Sequence, residues 1–383
     1  MARTRAGVTV GPLGRTITVV GAFRKAVYRR SDGRELIYYA WDRPLPPPPA
    51  DGPVMEPGRM GLRWNALLGE WVIVATHRQG RTFLPPEEYC PLCPTSRPDA
   101  PTELPAPDFE VAVFQNRFPS LRPEAPAPEP STAGRSAPAA GVNEVVVYSP
   151  DHTAGLADLP EVWTRRLIDV WADRYRDLGS RDEVRYVFIF ENRGKEIGVT
   201  LTHPHGQIYA FPYLPPRIAQ ERAAFEAYAS EHGGRCLLCD AAEREARDGA
   251  RTVIEGTAFV AYVPFAARWP YETHVVARAH RRSLAELSAA ERDDLARVYR
   301  SLLRAYDALW GIPMPYVMSA HQAATDGASS LADHLHFEFT PPYRARDRLK
   351  YLAGCETGAG TFINDTLPEE TAAELREAAR ARG

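Results

Sequence analysis

The sequence predicts an α+β chain made of two pseudo-repeat halves, and three matched stretches carry that reading. Residues 109–119 (FEVAVFQNRFP) pair with 259–270 (FVAYVPFAARWP). The run from His152 (HTAGLADL) pairs with the run from His280 (HRRSLAEL), and His203-Pro-His205-Gly-Gln207 pairs with His334-Leu-His336-Phe-Glu338. Three matches in one order mark an internal duplication. Each repeat opens on a Cys-x-x-Cys and carries one helix between its histidine segments.

Taken in order, residues 1–41 hold one strand over 15–23 and another around 35–39, and 42–58 form a proline-rich, extended linker. Order resumes at Leu62, with a strand over 71–75 that leads to Arg78 and Arg81, side chains suited to phosphate. Further strands follow at 109–114 and 143–148. Between them, residues 122–141 are rich in Pro, Ala and Ser and read as a disordered loop. A helix over 159–178 places Val162, Trp163, Leu167, Ile168, Trp171 and Tyr175 on one apolar face. The β-branched and aromatic run 183–190 is a buried strand, and 191–198 is a polar turn able to admit an anion. The next strand presents His203, His205 and Gln207 on one face, because successive side chains of a strand alternate. The second repeat has its helix at 289–309. The divisions expected are an extension with linker (1–58), a first half (59–215) and a second half (216–383).

A length of 383 residues suits two domains or one large duplicated one. The formal net charge of −3 gives no electrostatic case for nucleic acid or an anionic membrane. No run reaches the roughly 20 apolar residues of a membrane span, and the start leads into no apolar leader, so a cytoplasmic location is expected. Four of the five cysteines form the pairs Cys90/Cys93 and Cys236/Cys239, and Cys355 stands alone. In a reducing compartment, such pairs favour metal over disulfide. A redox pair fits less well, since neither pair opens a helix after a strand.

The duplication groups Cys90, Cys93, His152 and His203, spaced 3, 59 and 51 residues apart, and Cys236, Cys239, His280 and His334, spaced 3, 41 and 54 apart. Two thiolates with two imidazoles are the tetrahedral complement that zinc prefers, with no position left open for chemistry. A rival set of His321, His334 and His336 with Glu221 suits iron or zinc and competes for His334. With His203 on metal, His205 is free. A neutral imidazole is a competent nucleophile toward activated phosphorus, the carbonyl of the preceding turn can fix its tautomer, and Gln207 can donate to a phosphoryl oxygen. Asn192 and Thr200, with Arg78 and Arg81, can orient the remaining phosphate oxygens. The second half carries Phe337 and Glu338 where the first has Gly206 and Gln207, so only one half is expected to do chemistry.

These residues carry a resemblance. The stretch RWNALLGEWVIVATHR from Arg63, Cys90-Pro-Leu-Cys93, Asn116-Arg-Phe118, Ser149-Pro-Asp-His152, Glu191-Asn-Arg-Gly194 and His203-Pro-His-Gly-Gln207 resemble the galactose-1-phosphate uridylyltransferase family of the histidine-triad superfamily. The resemblance covers roughly residues 62–380. It implies two histidine-triad-like halves forming an open antiparallel half-barrel flanked by helices, and a homodimer. It also implies exchange of UMP between UDP-glucose or UDP-galactose and galactose 1-phosphate or glucose 1-phosphate, through a uridylylated His205 assisted by Gln207. It assigns Arg78 and Arg81 to phosphate or sugar, Asn116 and Phe118 to uridine, Asn192 and Thr200 to phosphate, and Lys350 and Glu356 to the hexose and phosphate. It makes Cys90, Cys93, His152 and His203 a zinc site, for one or two zinc ions per chain, with iron as the alternative at the second. The second Cys-x-x-Cys is similar to a branch that includes ADP-glucose phosphorylases, which keeps adenylyl transfer as an alternative function. A non-catalytic, zinc-stabilised nucleotide-binding protein is the third.

Overall fold

The computed structural model describes residues 8–11, 15–47, 52–56, 58–97, 99–128, 132–327 and 333–381. Parts of the proline-rich linker (48–51 and 57) and of the loop expected to be disordered (129–131) lie outside the described residues. The chain forms two compact units, 1–154 with 200–212, and 155–199 with 213–383. The stretch 155–199, placed by the sequence in the first half, therefore packs with the second unit.

The main sheet of the first unit orders its strands Val8–Gly11, Arg15–Val20, Phe23–Arg29, Glu35–Ala40, Val111–Gln115, Val142–Val147 and His205–Phe211. Every neighbouring pair is antiparallel. The single strand expected over 15–23 is instead a hairpin, broken where Gly21 adopts a φ of +56° and the chain turns into Phe23–Arg29. A smaller sheet pairs Met60–Asn65 with Glu70–Ala75 and with Ser136–Ala137. The loop read as disordered thus contributes a short strand and a bridge from Arg122 to Ala140. Its low apolar content left no pattern to read, because its order comes from backbone pairing. Beneath the main sheet, Tyr28, Leu36 and Tyr38 of the N-terminal strands pack with Cys90, Leu92, Phe109 and Phe114 in one core.

The sheet of the second unit runs Tyr186–Arg193, Tyr316–His321, His336–Thr340, Thr273–Ala277, Phe259–Tyr262 and Thr252–Glu255, again antiparallel throughout. The duplication is visible in strand order. Val111–Gln115, Val142–Val147 and His205–Phe211 neighbour one another as Phe259–Tyr262, Thr273–Ala277 and His336–Thr340 do. Helices Glu161–Gly179 and Ala289–Leu309 pack in this unit, the latter opened by a capping box between Ser288 and Glu291. On the first helix, Leu167, Ile168, Trp171 and Tyr175 are buried as the apolar face requires. Val162, assigned to that face, is 48% exposed, because it sits in the first turn. Phe337 and Phe339 project from the sheet onto Tyr299, with ring centroids 6.0 and 5.1 Å away. No helix among the described residues is long and apolar enough to cross a membrane.

Gly141 controls the entry to the strand Val142–Val147 of the first unit. Its φ is +136°, and a Cβ there would lie 2.3 Å from the carbonyl oxygen of Ala210, in the strand that begins at His205. Gly141→Ala is expected to lower stability by roughly 1–3 kcal/mol from backbone strain alone, with the overlap adding to that. Gly21→Ala meets no atom within 4 Å and should cost less. Denaturant unfolding of both variants checks the order.

Candidate active site and metal centres

The strand His205–Phe211 alternates as predicted. Gly206, Ile208 and Ala210 are buried, and His205, Gln207, Tyr209 and Phe211 share the other, half-buried face. His203 is not on that face, because the strand starts two residues later. It sits in a bend before it, where Pro204 cannot donate a ladder hydrogen bond. The bend separates the roles of the two histidines. The His205 Nδ1–H donates to the carbonyl of His203 at 2.8 Å, which leaves the lone pair on Nε2. Burial holds the pKa of His205 below its ordinary value, so the ring is neutral at pH 7 and its Nε2 is nucleophilic.

The ring of His203 faces the other way. Its Nε2–H donates to the carbonyl of Ser149 at 2.9 Å, and its Nδ1 lies 3.5 Å from Cys93 Sγ. His152 Nδ1 lies 3.2 Å from the same sulfur, with its Nε2 3.0 Å from Thr202 Oγ1. Cys90, Cys93, His152 and His203 bring one ligand atom each to within 4.8 Å of one another. Burial pushes the Cys93 thiol up to about 12 and lowers the His203 imidazole to about 4. A cation among them would reverse the cost of the two thiolates, and both histidines already have the far nitrogen anchored, as metal-bound imidazoles do. The donor set fits a metal ion.

The second unit repeats this geometry. Cys236, Cys239, His280 and His334 form the same cluster. His334 Nε2–H donates to the Ala277 carbonyl at 2.8 Å, and its Nδ1 lies 3.3 and 3.6 Å from the two sulfurs. The His152/His203 rings meet edge-on at 5.3 Å, and the His280/His334 rings do so at 5.4 Å. Cys236 caps the helix Leu237–Asp248. This pair therefore does open a helix, although the element before it is the helix Pro216–Glu231 rather than a strand.

The rival set needs correction. Glu221 and His321 are 2.8 Å apart, and His336 stands beside them, but the fourth member is Glu338 rather than His334. The two sets therefore do not compete. Glu338 occupies the repeat position of Gln207, two residues past His336, and that period was the available signal. Arg217, Arg268, His274, His321 and His336 surround it, and against its burial these charges, His321 foremost, hold it at about 2.

Of the remaining sequence-derived residues, Arg78, Arg81, Asn116, Phe118 and Thr200 lie in the first unit with His205 and Gln207. Arg78 donates to the Phe118 carbonyl at 2.8 Å. Asn116 Oδ1 accepts from the Phe118 amide at 2.8 Å, and the Thr200 carbonyl from the Leu84 amide at 2.8 Å. Arg81 is partly desolvated beside Arg78, which lowers its pKa. Asn192, Lys350 and Glu356 belong to the second unit. The expected polar turn at 191–198 is shorter than predicted, since the strand runs on to Arg193, which pairs bidentately with Asp307 at 2.8 and 2.9 Å. Lys350 is paired with Glu356 at 3.2 Å.

Comparison with known proteins identifies the family. Models of the N-terminal and C-terminal domains of galactose-1-phosphate uridyl transferase match residues 58–215 and 221–381. The galactose-1-phosphate uridylyltransferase of Thermotoga maritima is 42% identical over 321 residues, 83% of this chain and 98% of that protein. The Streptomyces lividans enzyme of the same name is 37% identical over 375 residues, 93% of this chain and 98% of its own. A solved uridylyltransferase structure superposes with a TM-score of 0.75 at 36% identity, covering 84% of this chain and 99% of the other. An Arabidopsis thaliana ADP-glucose phosphorylase with bound ADP-glucose shares the fold, with a TM-score of 0.65 at 24% identity over 83% of this chain and 98% of that one. With both domain models matched across nearly all of the chain beyond residue 57, this protein belongs to the galactose-1-phosphate uridylyltransferase family.

Proposed function

We propose that this chain exchanges UMP between UDP-glucose and galactose 1-phosphate in two half-reactions that pass through a nucleotidylated His205. The observation that carries the reading is the hydrogen bond from His205 Nδ1 to the His203 carbonyl, which aims an unprotonated Nε2 from the face it shares with Gln207. In the first half-reaction, Nε2 attacks the α-phosphorus of UDP-glucose, the bond from that phosphorus to the bridging oxygen breaks, and glucose 1-phosphate leaves. In the second, a phosphate oxygen of galactose 1-phosphate attacks the same phosphorus. The P–N bond breaks, UDP-galactose leaves, and the neutral imidazole is restored. The cationic phosphoimidazole is eased by the Nδ1–H bond to the carbonyl dipole, while the Gln207 amide donates to the phosphoryl oxygen where charge gathers. Arg78, Arg81 and Thr200 orient phosphate oxygens and Asn116 and Phe118 take the uridine side; for Asn192, Lys350 and Glu356 the phosphate and hexose roles are those the family resemblance implies. The family resemblance supports a homodimer.

Zinc is the ion that both Cys₂His₂ clusters suit. Bound at Cys90, Cys93, His152 and His203, it supplies no chemistry and braces the bend that holds the His203 carbonyl in place. Glu221, His321, His336 and Glu338 offer an oxygen and nitrogen donor set that also suits iron.

Incubation with UDP-glucose alone should label one histidine per chain and release one equivalent of glucose 1-phosphate in a burst. His205→Asn should abolish both, and stronger labelling by ADP-glucose would reverse the choice of nucleotide. Gln207→Ala is expected to lower kcat by roughly 10²–10³-fold, the usual cost of one oxyanion donor, with the burst stoichiometry unchanged. Elemental analysis of dialysed protein should find two zinc equivalents per chain, falling to one in Cys90→Ala. Fewer than one equivalent in the parent protein would rule out the metal reading.

A further inference from the structure

Residues 15–47 lie outside the stretch matched by the family models, which begins at residue 58. They nevertheless form three strands of the main sheet in the first unit, and two buried arginines of this segment converge on one carboxylate. The hairpin between Phe23–Arg29 and Glu35–Ala40 closes with the Arg30 amide donating to the Arg34 carbonyl at 2.8 Å. Its two arginines reach back to Glu103. Arg30 and Arg34 lie 2.7 and 3.1 Å from Glu103 Oε2, with side-chain exposures of 5% and 4% against 5% for the glutamate. Arg30 also donates to the backbone carbonyl of Glu103. Arg34 is fixed in turn by Asp32 at 2.7 Å and by the carbonyls of Gln115 and Pro53.

Glu103 is one hydrogen bond from the cysteine loop. Its amide donates to the carbonyl of Pro91, between the two cysteines, at 3.0 Å. The adjacent Thr102 hydroxyl donates to the carbonyl of Cys93 at 2.7 Å. From the apolar side, Tyr28, Leu36 and Tyr38 share a core with Cys90 and Leu92. The loop carrying Cys90 and Cys93 is thus gripped through two of its carbonyls, those of Pro91 and Cys93, and the segment 102–103 that grips it is anchored by the N-terminal hairpin.

We propose that Arg30, Arg34 and Glu103 are positioning residues that hold the Cys90–Cys93 loop in its ligating geometry, so that the N-terminal strands form part of the support of the first metal site. A buried carboxylate between two guanidinium groups is costly to neutralise, since this takes from Arg30 its carboxylate at 2.7 Å and leaves Arg34 with Asp32. The effect is local to one cluster, because Cys236 and Cys239 are held by their own helix in the other unit. The proposal rests on the metal reading for the role of the loop, and its test is chosen to separate the two.

The test is pulsed alkylation of the full-length protein as purified, resolved by peptide mass spectrometry, with metal content measured on the same samples. Glu103→Gln should raise the labelling rate of Cys90 and Cys93 about tenfold, the low end of what lost outer support costs a metal site. Cys236 and Cys239 should stay within about twofold of the parent rate. Asp307→Asn, which breaks the half-buried pair with Arg193 in the second unit, serves as the control and should leave the Cys90 and Cys93 rates unchanged. A Glu103→Gln protein of lowered melting temperature whose Cys90 and Cys93 rates do not move overturns the proposal, as does an equal rise at all four cysteines. If Glu103→Gln does not fold, Arg34→Lys keeps the charge, loses the planar fork, and is read by the same ratio. A parent protein without metal defeats the metal reading alone, and the ratio of labelling rates still decides the role of Glu103.

Discussion

The site depends on a single residue that faces two ways. The ring of His203 joins two sulfurs and the ring of His152, while its carbonyl takes the Nδ1 proton of His205. The first interaction sets the backbone of the bend and the second sets the tautomer of the neighbouring ring. A nucleophilic imidazole needs its lone pair on the outward nitrogen, and a flexible bend would let the ring flip between tautomers at little cost. The ligand cluster removes that freedom from outside the reacting atoms. In the proposed reading, the candidate metal cluster and the nucleophilic imidazole meet at one peptide carbonyl, that of His203.

Much of this was legible in the chain. A period of two along His203, His205 and Gln207 announces an extended segment, and the burial alternation from His205 to Phe211 follows it. The paired Cys-x-x-Cys motifs and the histidines at matched intervals name all eight residues of the two clusters. What escaped reading was long-range or depended on a partner. Nothing near Glu103 signals that its carboxylate meets arginines 69 and 73 positions earlier in the chain. The break at Gly21 is a single residue of positive φ inside an otherwise continuous β-branched run. The division of 155–199 from the first unit was equally hidden, because apolar periodicity shows that a helix buries one face without showing which sheet receives it.

The clusters also show why equivalent motifs need not have equivalent roles. Both units present a histidine whose Nδ1 donates to the carbonyl two residues earlier, at 2.8 Å in each. His205 is half-buried on an uncharged face. His336 is buried, with its pKa near 4, among His321, Glu221 and Glu338. The backbone device has been kept, and the surroundings have been rebuilt around a carboxylate.

That retained hydrogen bond reaches beyond either half. When a folded unit is copied, the backbone arrangement is inherited as a whole, because sheet register and bend geometry resist piecemeal change, whereas a single side chain at the tip can be exchanged freely. Glutamine at one tip and glutamate at the other differ by one amide, yet that difference places a neutral hydrogen-bond donor in the first copy and a negative charge in the second. Ancestry in this chain is therefore recorded in main-chain geometry, while the difference between the copies lies in the side chains around it.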